Sequence, residues 1–393
     1  MTSEPFNRLR RHTLQRLATL GALALTASGR AAEAPVSPST AAQAQAWPEW
    51  SVFRDQFVSD GGRVIDLGSE RSQTFSEGQG YALFFALVAD DRAGFEKVLR
   101  WTEDNLCDGD LSAKLPAWLW GHRDDDSWGV IDSNSASDAD LWIAYALGEA
   151  GRLWGERRFL ALSKLISARI LREETLDLPG LGPTLLPAAK GFVESEGRWR
   201  LNPSYMPMQV MRWFAAQEPL SRWPKLAESS RKIIVGSAPK GFAPDWIVYD
   251  AKAGFLPDSE GPDKGRGAYN AIRVYLWAGM LHAQASDRTA LLQALAPMAA
   301  YVRDNGQPPE SIDILTGRST APGPSSFSAA VLPFLESSED TASLQLQQTR
   351  LQARPIPTQA YYGQALGLFG LGWLQGRYRF GKDGHLQPRW KLQ

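Results

Sequence analysis

The sequence predicts an all-α protein in which paired helices close into a ring. Three observations carry this expectation: apolar residues recur with a helical period from about residue 78, short polar breaks containing Gly or Pro separate the segments, and no composition shift or long linker follows residue 47. Helices that alternate with short connections bury their apolar stripes against one another when the hairpins form a toroid. An open solenoid would need a residue pattern recurring at a fixed period, and none is present.

The periodicity predicts helices over 78–89, 91–105, 138–151, 156–172, 205–217, 221–236, 267–283, 287–303, 325–335, 340–350 and 359–375. Strand-like alternation is confined to short stretches such as 192–201 and 377–390. In the second, Lys382-Asp383-Gly384-His385 forms a turn between Tyr378-Arg379-Phe380 and Leu386.

The chain should be exported. Arg8, Arg10, Arg11 and Arg16 precede an apolar run over 17–27, and small residues then lead to Ala32-Glu33-Ala34. That run is too short for a stable membrane span. Arg10-Arg11-His12-Thr13-Leu14-Gln15 resembles a twin-arginine signal, leaving that route and the general secretory route both open. The expected organisation is a cleaved signal over 1–34, a Pro/Ser/Thr/Ala/Gln-rich linker over 35–46, and one folded domain over 47–393, delivered to the periplasm or secreted.

Lys plus Arg (42) nearly balances Asp plus Glu (43), so no net field gathers nucleic acid or holds an anionic membrane. A neutral ligand fits that balance. Fifteen Trp and ten Tyr supply flat rings with polar edges, suited to stacking on sugars and equally to filling a core. Cys107 is the only cysteine, which excludes an intramolecular disulfide and reads as a small buried hydrophobe. The four histidines, His12, His122, His282 and His385, form no metal-binding pair, so neither a metal nor another cofactor is expected.

Two carboxylate settings stand out. In Thr74-Phe75-Ser76-Glu77-Gly78-Gln79-Gly80-Tyr81 a glutamate is flanked by glycines at a helix start. The missing side chains would permit close approach of a ligand. Alternatively, Ser76 caps the helix with Gln79 as its partner and Glu77 is merely solvated. In Asp132-Ser133-Asn134-Ser135-Ala136-Ser137-Asp138-Ala139-Asp140 a polar run enters another helix, where free amides and the dipole keep a carboxylate ionised. Capping needs only one of Asp138 and Asp140, so the surplus points to a hydrogen-bonding site for polyhydroxyl ligands. Asp124-Asp125-Asp126 reads as an exposed loop.

These two motifs resemble glycoside hydrolase family 8. Ala136-Ser137-Asp138-Ala139-Asp140, with Ile143-Ala144, Ala146-Leu147, Ala150 and Trp154 behind it, is similar to the family signature, and Ser76-Glu77-Gly78-Gln79-Gly80-Tyr81 to its acid motif. Gly62-Arg63-Val64-Ile65-Asp66, Leu115-Pro116-Ala117-Trp118-Leu119-Trp120-Gly121, Pro239-Lys240-Gly241-Phe242-Ala243-Pro244-Asp245-Trp246 and Ala271-Ile272-Arg273-Val274-Tyr275-Leu276-Trp277 resemble the branch that accompanies bacterial cellulose synthesis.

The resemblance implies an (α/α)6 barrel with a few short hairpins and a cleft across one end. It implies endo-acting, inverting hydrolysis of a β-1,4-glucan chain without cofactor, and the cellulose synthase complex as a partner. It assigns Glu77 as proton donor and Asp138 to the sugar at the cleavage point. It further implies substrate contacts from Tyr81, Asp140, Tyr269, Arg273 and Tyr361 or Tyr362, with Trp118, Trp120 and Trp128 as stacking rings. One departure stands out: the family's usual base is an Asp, and this chain reads Tyr269-Asn270-Ala271-Ile272-Arg273. An amide has no useful proton affinity. The base would then be another carboxylate, Asp138 or one of the segment Asp258-Ser259-Glu260-Gly261-Pro262-Asp263, or the enzyme would be slow, with Asn270 orienting water. Two other readings stay open: a catalytically weak glucan-binding protein, and a hydrolase of chitosan or xylan.

Overall fold

A computed structural model describes residues 47–392 apart from Glu70 and Pro262; the expected export signal and linker lie outside the described residues. Twelve α-helices are present among them. They are α1 (Pro48–Phe57), α2 (Ser76–Val88), α3 (Arg92–Leu106), α4 (Ser137–Trp154), α5 (Arg157–Glu173), α6 (Met208–Gln217), α7 (Trp223–Gly236), α8 (Ile272–Gly279), α9 (Arg288–Asn305), α10 (Ser325–Ser337), α11 (Thr341–Ala353) and α12 (Tyr361–Leu374).

Burial alternates along this series. Helix α3 buries one stripe, Phe95, Val98, Leu99, Thr102 and Leu106, at the spacing of a helix with one wet face. In α2 and α8 every residue is buried. The even-numbered helices therefore form the inner wall and the odd-numbered helices the outer one. The axis is filled by rings from four inner helices: Phe84 and Phe85 of α2 lie 5.4 and 4.6 Å from Phe369 of α12, and Trp277 of α8 lies 5.0 Å from Phe369 and 5.3 Å from Trp142 of α4. Contact between the first and last inner helices closes the ring, as the barrel expectation required.

The expected hairpin near the C-terminus forms from Tyr378–Phe380 and Leu386–Pro388, and 192–201 folds as Val193–Ser195 against Arg198–Leu201. Three differences have local causes. Helix α1 was not expected, because it opens on a proline and buries only Trp50, Phe53 and Phe57. Short pairs such as Leu119–His122 with Trp128–Asp132, or Ile247–Asp250 with Gly254–Pro257, are too brief to show a period. The helix expected over 267–283 is only Ile272–Gly279, because Asp245 Oδ1 accepts the amides of Ala268, Asn270 and Ala271 at 2.8, 3.0 and 2.7 Å and holds them in a turn.

Because inner and outer helices alternate in direction, the inner helices run parallel. Their N-termini gather at one end, with loops and short strands around them. Glu77, Asp138, Arg273 and Tyr362 are each the second residue of their helices, α2, α4, α8 and α12.

Candidate active site

Arg273 organises this end. Its Nη1 lies 3.3 Å from Glu77 Oε1 and 3.0 Å from Asp138 Oδ2, and donates to the Tyr81 hydroxyl at 2.9 Å. Its Nη2 donates to Ser204 Oγ at 3.0 Å and to Asn270 Oδ1 at 2.8 Å. Burial alone would lower the pKa of this guanidinium, but Glu77, Tyr81 and Asp138 outweigh it, so the group stays charged. One buried cation thus draws two carboxylates together at the N-terminal ends of two inner helices, where the dipoles also favour negative charge. Asp138 Oδ1 further accepts the Ala139 amide at 2.9 Å.

The surrounding loops are coupled to one another. Ser76 N donates to Trp118 O at 3.0 Å, Trp118 N to Asn134 O at 2.8 Å, and Ser137 N to Pro187 O at 3.0 Å, so the entries to α2 and α4 share one backbone chain. Beside them Phe75 stacks on Trp118 at 5.9 Å, Phe192 lies nearly parallel to Trp246 at 5.7 Å, and Tyr205 is 6.1 Å from Trp246. These rings form an aromatic cluster distinct from the barrel core.

Of the residues expected from sequence, Glu77, Asp138, Tyr81, Asn270 and Arg273 come together. Tyr362 adjoins them and donates to Tyr269 O at 2.5 Å, while Tyr269 donates to Glu310 at 3.1 Å. Several expectations need correction. Tyr81 and Arg273 are fully enclosed and enter the site through the carboxylates. Asp140 is also fully enclosed, on the far side of α4 from Asp138.

Gly78 and Gly80 do not clear room for a ligand. A Cβ on Gly78 would lie 2.0 Å from the Tyr361 hydroxyl, and one on Gly80 3.2 Å from Ala139 O, so the glycines admit α12 and α4. Ser76 and Gln79 make no capping box either. The position before α2 is Phe75, and the Gln79 side chain accepts the Val64 amide at 2.6 Å and donates to Thr102 at 2.8 Å. Trp120 and Trp128 stack on each other at 5.4 Å, with the Arg63 guanidinium 4.4 and 4.9 Å from their centroids and Trp101 of α3 5.2 Å from Trp120. Only Trp128, 51% exposed, presents much surface.

The carboxylates proposed to replace the base differ in their surroundings. Asp258 is buried in an ion pair with Arg200, at 2.7 Å from Nε and 2.6 Å from Nη2. Glu260 is exposed. Asp263 is buried on a turn whose Arg266 N bonds Asp263 O, while Asp245 N bonds Arg266 O. Asp245 is pushed up to about 7 by burial and by the charge of Asp263. Sequence reasoning missed Asp245 and Ser204 as supports. Ser204 stands in the run Asn202-Pro203-Ser204-Tyr205 ahead of α6, which was the available signal, whereas Asp245 is a lone carboxylate between Pro244 and Trp246 ahead of the strand Ile247–Asp250 and carries none.

Comparison with known proteins agrees with this fold. The chain is 47% identical over 383 residues to an endoglucanase of Xanthomonas axonopodis pv. citri (strain 306), covering 96% of this chain and 98% of that one. It is 45% identical over 354 residues to an endoglucanase of Salmonella typhi, covering 89% and 94%. The crystal structure of an endo-1,4-D-glucanase from Vibrio fischeri ES114 superposes with a TM-score of 0.81 at 43% identity, covering 88% of this chain and 99% of that one. The profile of the glycosyl hydrolases family 8 matches residues 27–376. A barrel whose inner helix ends carry Glu77, Asp138 and Arg273, and a profile match over most of its length, show that this chain belongs to glycosyl hydrolase family 8.

Proposed function

We propose that this protein is an endo-acting β-1,4-glucanase that inverts the anomeric centre, exported to the periplasm to trim glucan beside a cellulose synthase complex. The observation that carries the reading is the convergence of Glu77 and Asp138 on Arg273. The relatives named as endoglucanases support glucan over chitosan or xylan. Glu77 protonates the leaving oxygen, and Asp138, held by Arg273, orients the sugar at the point of cleavage. Trp128, the exposed ring, supplies a face against which a glucan chain packs, with Trp120 stacked behind it, whereas Trp118, expected as a third stacking ring, is enclosed among Phe75, Phe192, Tyr205 and Trp246.

Inversion also needs a carboxylate across the ring to activate water, roughly 6.5–9.5 Å from the acid. Asp258 is engaged by Arg200 and Asp138 by Arg273. Asp263, anchored through its turn to the Asp245 that holds Asn270, is the carboxylate assigned to the base, with the Asn270 amide orienting the water.

Release of reducing ends from carboxymethylcellulose tests the reading. Glu77→Gln should retain oligosaccharide binding and lose about 10²–10⁴-fold in turnover. Asp263→Asn should lose turnover as well, and Asn270→Asp in that background should restore it with affinity nearly unchanged. A parent that binds glucan without cleaving it, and gains hydrolysis through Asn270→Asp, would instead be a glucan-binding protein.

A further inference from the structure

Asp138 and Asp140 stand two residues apart on α4, so their side chains diverge by about 200° around the helix. Asp138 turns to Arg273. Asp140 turns outward to the end of α5, where Glu174 follows the last helical residue. Both side chains are completely enclosed. Ser135 Oγ donates to Glu174 Oε1 at 2.6 Å, whereas Glu174 Oε2 meets no donor and the Asp140 carboxyl meets only the Ala136 backbone, outside ordinary hydrogen-bond geometry, among the described residues. The two carboxyl groups nevertheless lie within hydrogen-bonding reach of each other.

Two buried carboxylates in this arrangement would combine the loss of hydration with mutual repulsion. Their surroundings add to the problem. The neighbouring charges that act most strongly on the pair, Asp138 on α4 and Glu173 on α5, are negative. Cys107 at the end of α3 faces Asp140 with a thiol whose pKa burial and that carboxyl push up, so it brings no compensating charge. The C-terminal ends of α3 and α5 also meet here, and helix C-termini disfavour anions. One proton placed between the two groups removes a charge and gives the bare oxygens a hydrogen bond.

We propose that Asp140 and Glu174 share a single proton in the working protein, and that this acid pair positions Asp138. The role in positioning rests on the reading of Asp138 as part of the catalytic centre. The connection is short. Glu174 holds the Ser135 hydroxyl, whose oxygen accepts the Ala189 amide at 3.2 Å, and Ser135 lies in the loop from which α4 and Asp138 start. The shared proton leaves one negative charge behind Asp138 in place of two. Its loss would set two anions against each other beneath that loop and raise the proton affinity of Asp138 itself.

Burial, followed by the charge of Glu174, holds Asp140 well above the carboxylate range, and Glu174 is pushed up to about 8, chiefly by burial. Between the ordinary Glu value of about 4.5 and that point the folded protein binds more protons than the unfolded chain, so the pair makes stability fall as pH rises. Asp140, held well above the carboxylate range, still carries its proton in the folded protein beyond that point, so the dependence continues into the alkaline range.

Infrared spectra of the carboxyl C=O stretch in full-length protein provide the direct test. The parent at pH 7 should show a protonated carboxyl band that is absent from the double variant Asp140→Asn, Glu174→Gln, in which neither side chain can hold an acid proton. In carboxymethylcellulose hydrolysis the alkaline limb of kcat should move up by at least one pH unit in Glu174→Gln, with KM unchanged, and Asp140→Asn should move it likewise. A parent without a protonated band assignable to this pair, or an alkaline limb that coincides in parent and variants, overturns the proposal. If the parent cleaves no glucan, the glucanase reading fails separately, and the infrared band together with melting temperature against pH still decides the shared proton.

Discussion

At Gly78 the absence of one methyl group decides whether two helices fit together. An alanine there would place its Cβ 2.0 Å from the Tyr361 hydroxyl oxygen, and Tyr361 is itself fixed between Phe53 and Phe57 of α1 at 6.1 and 5.7 Å. Overpacking of this kind costs about 1–3 kcal/mol. Gly78→Ala should therefore lower stability in urea unfolding by that amount, and Tyr361→Phe in the same chain should recover part of the loss by removing the clashing oxygen. Strictly additive losses in the double variant would show that the clash is relieved elsewhere. The glycine was conspicuous in the sequence, but its partner stands at the other end of the chain, so the reason for it was not legible there.

A single buried carboxylate ties the C-terminal hairpin to the inner wall. Glu149 of α4 is completely enclosed, and accepts Trp213 Nε1 at 2.6 Å, Arg152 Nε at 3.0 Å and the Leu386 amide at 2.6 Å, with His385 Nδ1 at 3.0 Å. The hydrogen bond to Glu149 raises the His385 pKa, against some lowering by burial. Burial would raise Glu149, but the bonds from His385 and Arg152 outweigh it and the net shift is downward. The contribution of His385 is complete below its ordinary value of about 6.5 and disappears as pH rises through the elevated folded value. That of Glu149 is complete above about 4.5 and disappears as pH falls through the depressed folded value. The element should be tightest between those two limits. His385→Gln should therefore lower the melting temperature more at pH 6 than at pH 9, and an equal loss at both would sink this account.

The whole ring depends on the axis where four inner helices meet. Phe369 touches Tyr81 at 5.0 Å, Phe85 at 4.6 Å, Trp142 at 5.3 Å and Trp277 at 5.0 Å, rings from α2, α4 and α8. Truncation of such a residue removes its burial and leaves a cavity, at a cost of about 3–5 kcal/mol. Phe369→Ala should lose that much in chemical denaturation and should weaken the site as well, because Tyr81 meets both Phe369 and Arg273. A variant with the loss in stability but unchanged turnover would separate the axis from the catalytic end.

The sequence by itself determined eleven of the twelve helices in outline, their pairing, the C-terminal hairpin and the two motifs that place Glu77 and Asp138 at helix starts. These are local properties: periodicity and breaking residues act over a few positions, and short connections leave antiparallel pairing as the compact solution. Only the tertiary structure decided that Arg273 bridges Glu77 and Asp138, that Asp245 ends the expected helix at 267–271, that Trp120 is engaged by Trp101 and Arg63, and that Asp140 faces Glu174 instead of the cleft. Each of those depends on which face of a helix meets which neighbour once the ring has closed. Burial and the pairing of charge within it arise from contacts between segments far apart in the chain, and no local pattern encodes them.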